Sequence, residues 1–116
     1  MSLHYLFTYG ILKRPDAIPA EVVGEIRDVG PYPAARFDRD GVVVGVIRQV
    51  MEEDLEEMDW IEGVPHLYTR IILDPEKVSH TGYLTPGLPI WAYQFVDLDY
   101  FERLPIVEGG KWERYR

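Results

Sequence analysis

Seven acidic side chains fall between residues 52 and 62, and a helix would set one of them apart from the rest. At ~100° per residue, Met51, Leu55, Met58 and Glu62 share a sector of about 60°. Glu52, Glu53, Asp54, Glu56, Glu57 and Asp59 are expected on the solvated face. Glu62 is thus predicted to share the apolar face at the helix's last turn, beside Trp60, Ile61 and Val64. Desolvation and the negative end of the helix dipole both disfavour a charge there, so its pKa should be raised. A carboxylate held in that state suits a general base near neutral pH. The alternative is a helix that stops a residue or two early, with Glu62 turned outward.

The second candidate is the run Tyr9-Gly10-Ile11-Leu12-Lys13-Arg14. A strand ending at a glycine and a turn can present successive backbone N–H groups to an anion. Lys13 and Arg14 add local positive charge, which suits a carboxylate ligand. The competing reading is an ordinary turn carrying two solvated cations.

Other polar residues carry less. His4, His66 and His80 fit no metal-ligand spacing. The chain has no Gly-rich phosphate loop, serine elbow or HExxH pattern. Tyr5, Trp91, Tyr93 and Phe95 fall on strands and read as core rather than as a ligand platform. Tyr68 and Arg70 lie on one side of their strand by period-two spacing. They suit either a pocket or plain packing with a surface ion pair.

The elements that must position these residues are short. Leu3 to Thr8 reads as a first strand and Glu21 to Val29 as a second, closed by Gly30-Pro31. Asp40-Gly41 is a hairpin signal, and Val42 to Ile47 is a β-branched strand. Leu67 to Leu73 and Ile90 to Val96 complete five strands, with Asp74 to Pro89 as loop and Pro105 to Gly110 opening an irregular tail. Met51 to Glu62 is the one strong helix, with an acidic first turn suited to its dipole and Gly63 as its stop. Five short strands at this spacing predict a compact curled sheet or barrel.

Composition narrows the function further. The 116 residues, 47% hydrophobic and 28% charged, predict one soluble domain over 1–116. There is no cysteine, which excludes disulfides, thiolate metal sites and thiol nucleophiles. Twenty acids against twelve bases give a net charge of −8, a field that repels phosphate backbones and argues against nucleic acid. No apolar run approaches the ~18 residues needed to cross a bilayer. The start, Met1-Ser2-Leu3-His4-Tyr5, lacks the features of a signal peptide, which predicts a cytoplasmic protein without a membrane partner.

Taken in order, these segments resemble the γ-glutamylcyclotransferase-like family, in particular its γ-glutamylamine cyclotransferase branch. Tyr9-Gly10-Ile11-Leu12-Lys13-Arg14 is similar to the family's Tyr-Gly-Thr/Ser-Leu-Lys/Arg signature, and Gly30-Pro31-Tyr32-Pro33-Ala34 to its Gly-x-Tyr-Pro-Ala segment. Gly45 sits where a glycine occurs in the strand after the hairpin. Met58-Asp59-Trp60-Ile61-Glu62-Gly63 resembles Leu-Asp-x-x-Glu-Gly, and Tyr68-Thr69-Arg70 matches Tyr-x-Arg. Trp91-Ala92-Tyr93 and Gly110-Lys111-Trp112 are similar to the family's late strand and its Gly-Asp-Trp end.

The resemblance implies an α+β fold: a small mixed β-barrel with flanking helices and a pocket between the Tyr-Gly turn and a catalytic glutamate. By resemblance, Glu62 is the acid/base residue. Gly10, Ile11 and Leu12 hold a γ-glutamyl head group through their backbone, with Tyr9 beside it and Tyr68 also at the substrate. The implied reaction releases an amine or amino acid from a small γ-glutamyl amide as 5-oxoproline forms, with no metal or cofactor. Ile11 replaces the usual small hydroxyl residue, and Pro15-Asp16-Ala17-Ile18 lacks the Gly and Asn or His commonly found there. The second departure bears on the leaving-group side of the pocket; Ile11 favours an alternative, a non-catalytic ligand-binding or regulatory module on the same fold. A third reading is a protein-interaction domain that docks through its acidic helix.

Overall fold

The computed structural model describes residues 2–9 and 17–113. Its first strand, β1 (Leu3–Thr8), has the bounds that the sequence predicts. The predicted second strand is cut in two at Gly24, whose N–H bonds the Gly41 carbonyl, giving β2 (Ile18–Val23) and β3 (Glu25–Asp28). A strand the sequence reading omits, β4 (Pro33–Arg36), pairs with β3 as an isolated hairpin. The Asp40-Gly41 turn therefore leads into β5 (Val42–Met51) without joining paired neighbours, because β5 pairs with β1 and β2.

β5 runs straight into α1 (Glu52–Ile61), where the Asp54 carboxylate accepts from the Met51 N–H at 2.8 Å. β6 (Tyr68–Ile72) and β8 (Ile90–Phe95) match two further predicted strands. Between them the expected loop holds a 3₁₀ turn (Pro75–Lys77) and the short β7 (Val78–His80). A short helix, α2 (Leu98–Glu102), follows β8.

The main sheet has the order β6-β8-β1-β5-β2-β7, with β1 and β8 parallel and the other pairs antiparallel. It curls but does not close into a barrel. β7 pairs with β2 alone and β6 with β8 alone, so no ladder joins the two edge strands. The α+β class holds and the barrel is corrected to an open sheet.

β1 is the spine of the core because its side chains alternate between two faces. Tyr5 and Phe7 pack with Val22, Val43 and Ile47 on one side. Leu6 packs with Val50, Leu55 of α1 and Phe95 on the other. Each such fully buried side chain contributes roughly 1.5–3 kcal/mol. Gly45 is forced by this packing. A Cβ there would stand 2.2 Å from the Thr8 carbonyl oxygen and 2.9 Å from the Phe7 ring.

Candidate functional site

Thr8 follows Leu6 by two residues, so its side chain leaves β1 on the face that α1 covers. There the end of β1 opens into a cavity of about 150 Å³ lined by Phe7, Thr8, Tyr9, Tyr32, Pro33, Met58, Glu62, Tyr68 and Tyr93. Glu62 reaches it from the end of α1. The helix closes with paired C-terminal bonds, Gly63 N–H to the Trp60 carbonyl and Val64 N–H to that of Asp59. Gly63 adopts φ 69°, the left-handed conformation in which such a stop favours glycine. Glu62 is therefore the cap residue rather than the last helical one, yet it turns inward and is half-buried.

Burial pushes the Glu62 carboxyl above the usual carboxylate range; desolvation is the cause. Three phenols stand close enough to feel its charge, and each donates its proton elsewhere. The Tyr9 hydroxyl donates to the Tyr93 carbonyl at 2.5 Å, and that of Tyr68 to the Pro33 carbonyl at 2.5 Å. The Tyr93 hydroxyl donates to Asp59 Oδ1 at 2.7 Å. Among the described residues no side chain donates to the Glu62 carboxylate. Burial is the first cause that raises all three phenols above their ordinary range; Tyr68 and then Glu62 add to it for Tyr9, Glu62 for Tyr68, and the hydrogen bond to Asp59 for Tyr93.

Asp59 corrects the sequence reading. It does not point into solvent with the other acids but sits part-buried between β6 and β8. Arg70 donates to its two carboxylate oxygens, from Nε at 2.7 Å and Nη2 at 2.9 Å. Arg70 stands opposite Tyr93 in the β6–β8 ladder, and its guanidinium stacks on the Trp91 ring at 4.3 Å. The signal was present: Asp59 follows Leu55 by four and precedes Glu62 by three, which puts it on the inward stripe. Of the two readings for Tyr68 and Arg70, Tyr68 lines the cavity and Arg70 makes an ion pair behind it. Tyr93 is core by burial and also a cavity wall.

The structure brings Glu62, Tyr9 and Tyr68 together around one cavity. Gly10, Ile11, Leu12, Lys13 and Arg14 lie outside the described residues. Phe7, Thr8, Tyr32, Pro33 and Met58 join the lining without having been singled out as site residues. Among the described residues no group of three or more His, Cys, Asp or Glu side chains is placed to hold a metal ion. A raised, half-buried carboxylate without a donor can take a proton from a bound ligand and return it.

The family described as gamma-glutamyl cyclotransferase, AIG2-like, matches residues 6–114, nearly the whole chain. The chain belongs to this family. Solved structures share the fold of this AIG2-like chain at low identity. A mouse AIG2-like protein, also designated GGACT, superposes with a TM-score of 0.71 at 19% identity, covering 97% of this chain and 90% of that one. An Arabidopsis thaliana protein solved in solution gives 0.62 at 19% identity, covering 99% and 78%. No curated protein sequence matches significantly. Membership of the AIG2-like family supports an activity of the γ-glutamyl cyclotransferase type in general, on a small γ-glutamyl substrate. No helix of the described residues is long and apolar enough to cross a membrane.

Proposed function

We propose that this single domain is a γ-glutamylamine cyclotransferase in which Glu62 is the acid/base residue and no cofactor takes part. The observation that carries the reading is a half-buried Glu62 carboxylate, raised by desolvation and without a side-chain donor among the described residues, facing a cavity. The substrate's α-ammonium gives one proton to Glu62, and the freed amine attacks the γ-carbonyl carbon. The new C–N bond closes a five-membered ring. Glu62 then protonates the departing nitrogen as the old C–N bond breaks. The ring nitrogen's surplus proton follows through Glu62 to the freed amine, leaving neutral lactam and an ammonium product.

Size and charge support this reading. A cavity of about 150 Å³ holds a molecule as large as benzene, so a five-membered lactam fits. No cationic side chain lines it among the described residues, and the chain carries −8 overall. Among the described lining residues Glu62 carries the one formal charge, and it is negative, which suits an amine better than a second carboxylate beside it. Gly10, Ile11 and Leu12 are proposed to hold the γ-glutamyl carboxylate through backbone N–H groups, with Tyr9 and Tyr68 walling the head group. Holding a folded conformer supplies much of the rate, since intramolecular attack has effective molarities on the order of 10⁵ M or more.

The test is 5-oxoproline release from a panel of γ-glutamylamines and γ-glutamyl amino acids. Wild-type turnover should favour the amines and fall roughly 10²-fold or more in Glu62→Gln. Unchanged turnover in that variant would remove Glu62 from the mechanism.

A further inference from the structure

The side chains around the cavity divide by burial. Phe7, Tyr9, Tyr68 and Tyr93 are buried and form its inner walls, whereas Tyr32 and Met58 stay part-exposed beside the half-buried Glu62. Pro33 and the Thr8 hydroxyl oxygen are buried as well, so the open side belongs to Tyr32, Met58 and Glu62. Tyr32 comes from the turn before β4, where the Val29 N–H donates to its carbonyl at 3.1 Å. Its ring meets that of Tyr68 nearly edge-on, with centroids 6.4 Å apart. Met58 comes from α1, one turn before Glu62. Both side chains pack against the buried cluster of Leu6, Tyr68 and Phe95, which holds them in place.

A cavity of about 150 Å³ is filled once it holds the lactam ring. Glu62 protonates the departing nitrogen, so whatever that nitrogen carries must extend past Glu62 toward the open side. There it meets the Tyr32 ring and the Met58 thioether, a flat aromatic surface and a flexible apolar chain. We propose that Tyr32 and Met58 are specificity-determining residues that grip the substituent on the scissile nitrogen, and that the amides this site takes carry an apolar body there, aliphatic or aromatic. The net charge of −8 draws cations toward the protein as a whole. Among the described residues, however, no acid other than Glu62 lines the cavity to receive a cationic substituent. The identity of that substituent as a leaving amine rests on the function proposed above; the preference of the rim for an apolar group does not.

Calorimetric binding to the full-length Glu62→Gln protein, chosen to slow turnover, tests the proposal. The probes are the γ-glutamyl amides of methylamine, benzylamine and 1,4-diaminobutane. The benzylamide should bind roughly tenfold tighter than the methylamide, as burial of about 60 Å² of apolar surface gives. Adding Tyr32→Ala should cut that advantage about fivefold, and adding Met58→Gln about threefold. Equal binding of the methylamide and the benzylamide overturns the apolar rim, as does an equal loss for both probes in the two variants. A diaminobutane amide that binds as tightly as the benzylamide overturns it in favour of selection by charge. A preference for the benzylamide without 5-oxoproline release by the wild-type protein from any γ-glutamyl compound would overturn the enzyme reading and leave the apolar rim standing.

Discussion

Asp59 accepts the phenol proton of Tyr93 at 2.7 Å while Arg70 grips its two oxygens, tying the end of α1 to the centre of the β6–β8 ladder. The pair is part-buried, so its charge-assisted bonds are stronger than those of an exposed ion pair. Asp59→Asn keeps an acceptor for Tyr93 but turns one face of the guanidinium against an amide. Unfolding in denaturant should show a loss of about 2 kcal/mol. Wild-type stability would mean that the ion pair adds nothing to the fold.

Glu62 makes stability depend on pH with a definite sign. Its folded pKa lies above the unfolded value, so the folded state binds the extra proton. The stabilisation is complete below the unfolded carboxyl range and is lost as pH rises through the raised folded value. Glu62→Gln lacks this loss. Melting curves of the two proteins should therefore be closest in acid and separate toward neutral pH, with the Gln variant the more stable at pH 7. A variant that melts lower at pH 7 would identify Glu62 as a structural partner.

Gly45 lies against the Thr8 carbonyl and the Phe7 ring, and both residues line the cavity. Because β1 and β5 are locked by their ladder, the backbone of Thr8 cannot retreat from an added Cβ. Gly45→Ala should cost about 2–3 kcal/mol, as overpacking does, and should shift Thr8 and Tyr9. The measurement is denaturant stability together with ligand affinity. A variant of wild-type stability would show that the strand pair yields to the methyl group.

The exposed acids of α1 lie away from the cavity. Reversing Glu53, Glu56 and Glu57 to lysine should leave 5-oxoproline release within about twofold, because screening weakens charges beyond roughly 10 Å. A large change in turnover would instead bring back the acidic helix as a functional surface.

Burial of Arg27 follows a different logic from that of Glu62. Its guanidinium donates to the carbonyls of Phe101, Glu102 and Leu104 at the end of α2 and pairs with Glu25. Arg27→Ala should cost about 3 kcal/mol, since it strips several carbonyls and a carboxylate of their donor. Full retention of stability would show that solvent replaces the guanidinium.

Local pattern alone determined a good deal. The bounds of β1, the β-branched run of β5, the stop at Gly63 and the inward turn of Glu62 all follow from period and turn chemistry acting over a few residues. The ordered short motifs pointed to the family. Tertiary structure decided the rest. β4 and β7 are too short to show a period and exist because a neighbouring strand pairs with them. The sheet stays open because its two edge strands, β6 and β7, are not brought together to pair. Helical spacing places Asp59 beside the inward stripe, but its burial depends on Arg70 and Tyr93, which meet it there and offset the cost of burying its charge. The direction in which each phenol proton points was likewise a matter of which carbonyl or carboxylate the fold brings within reach, and no single segment contains that information.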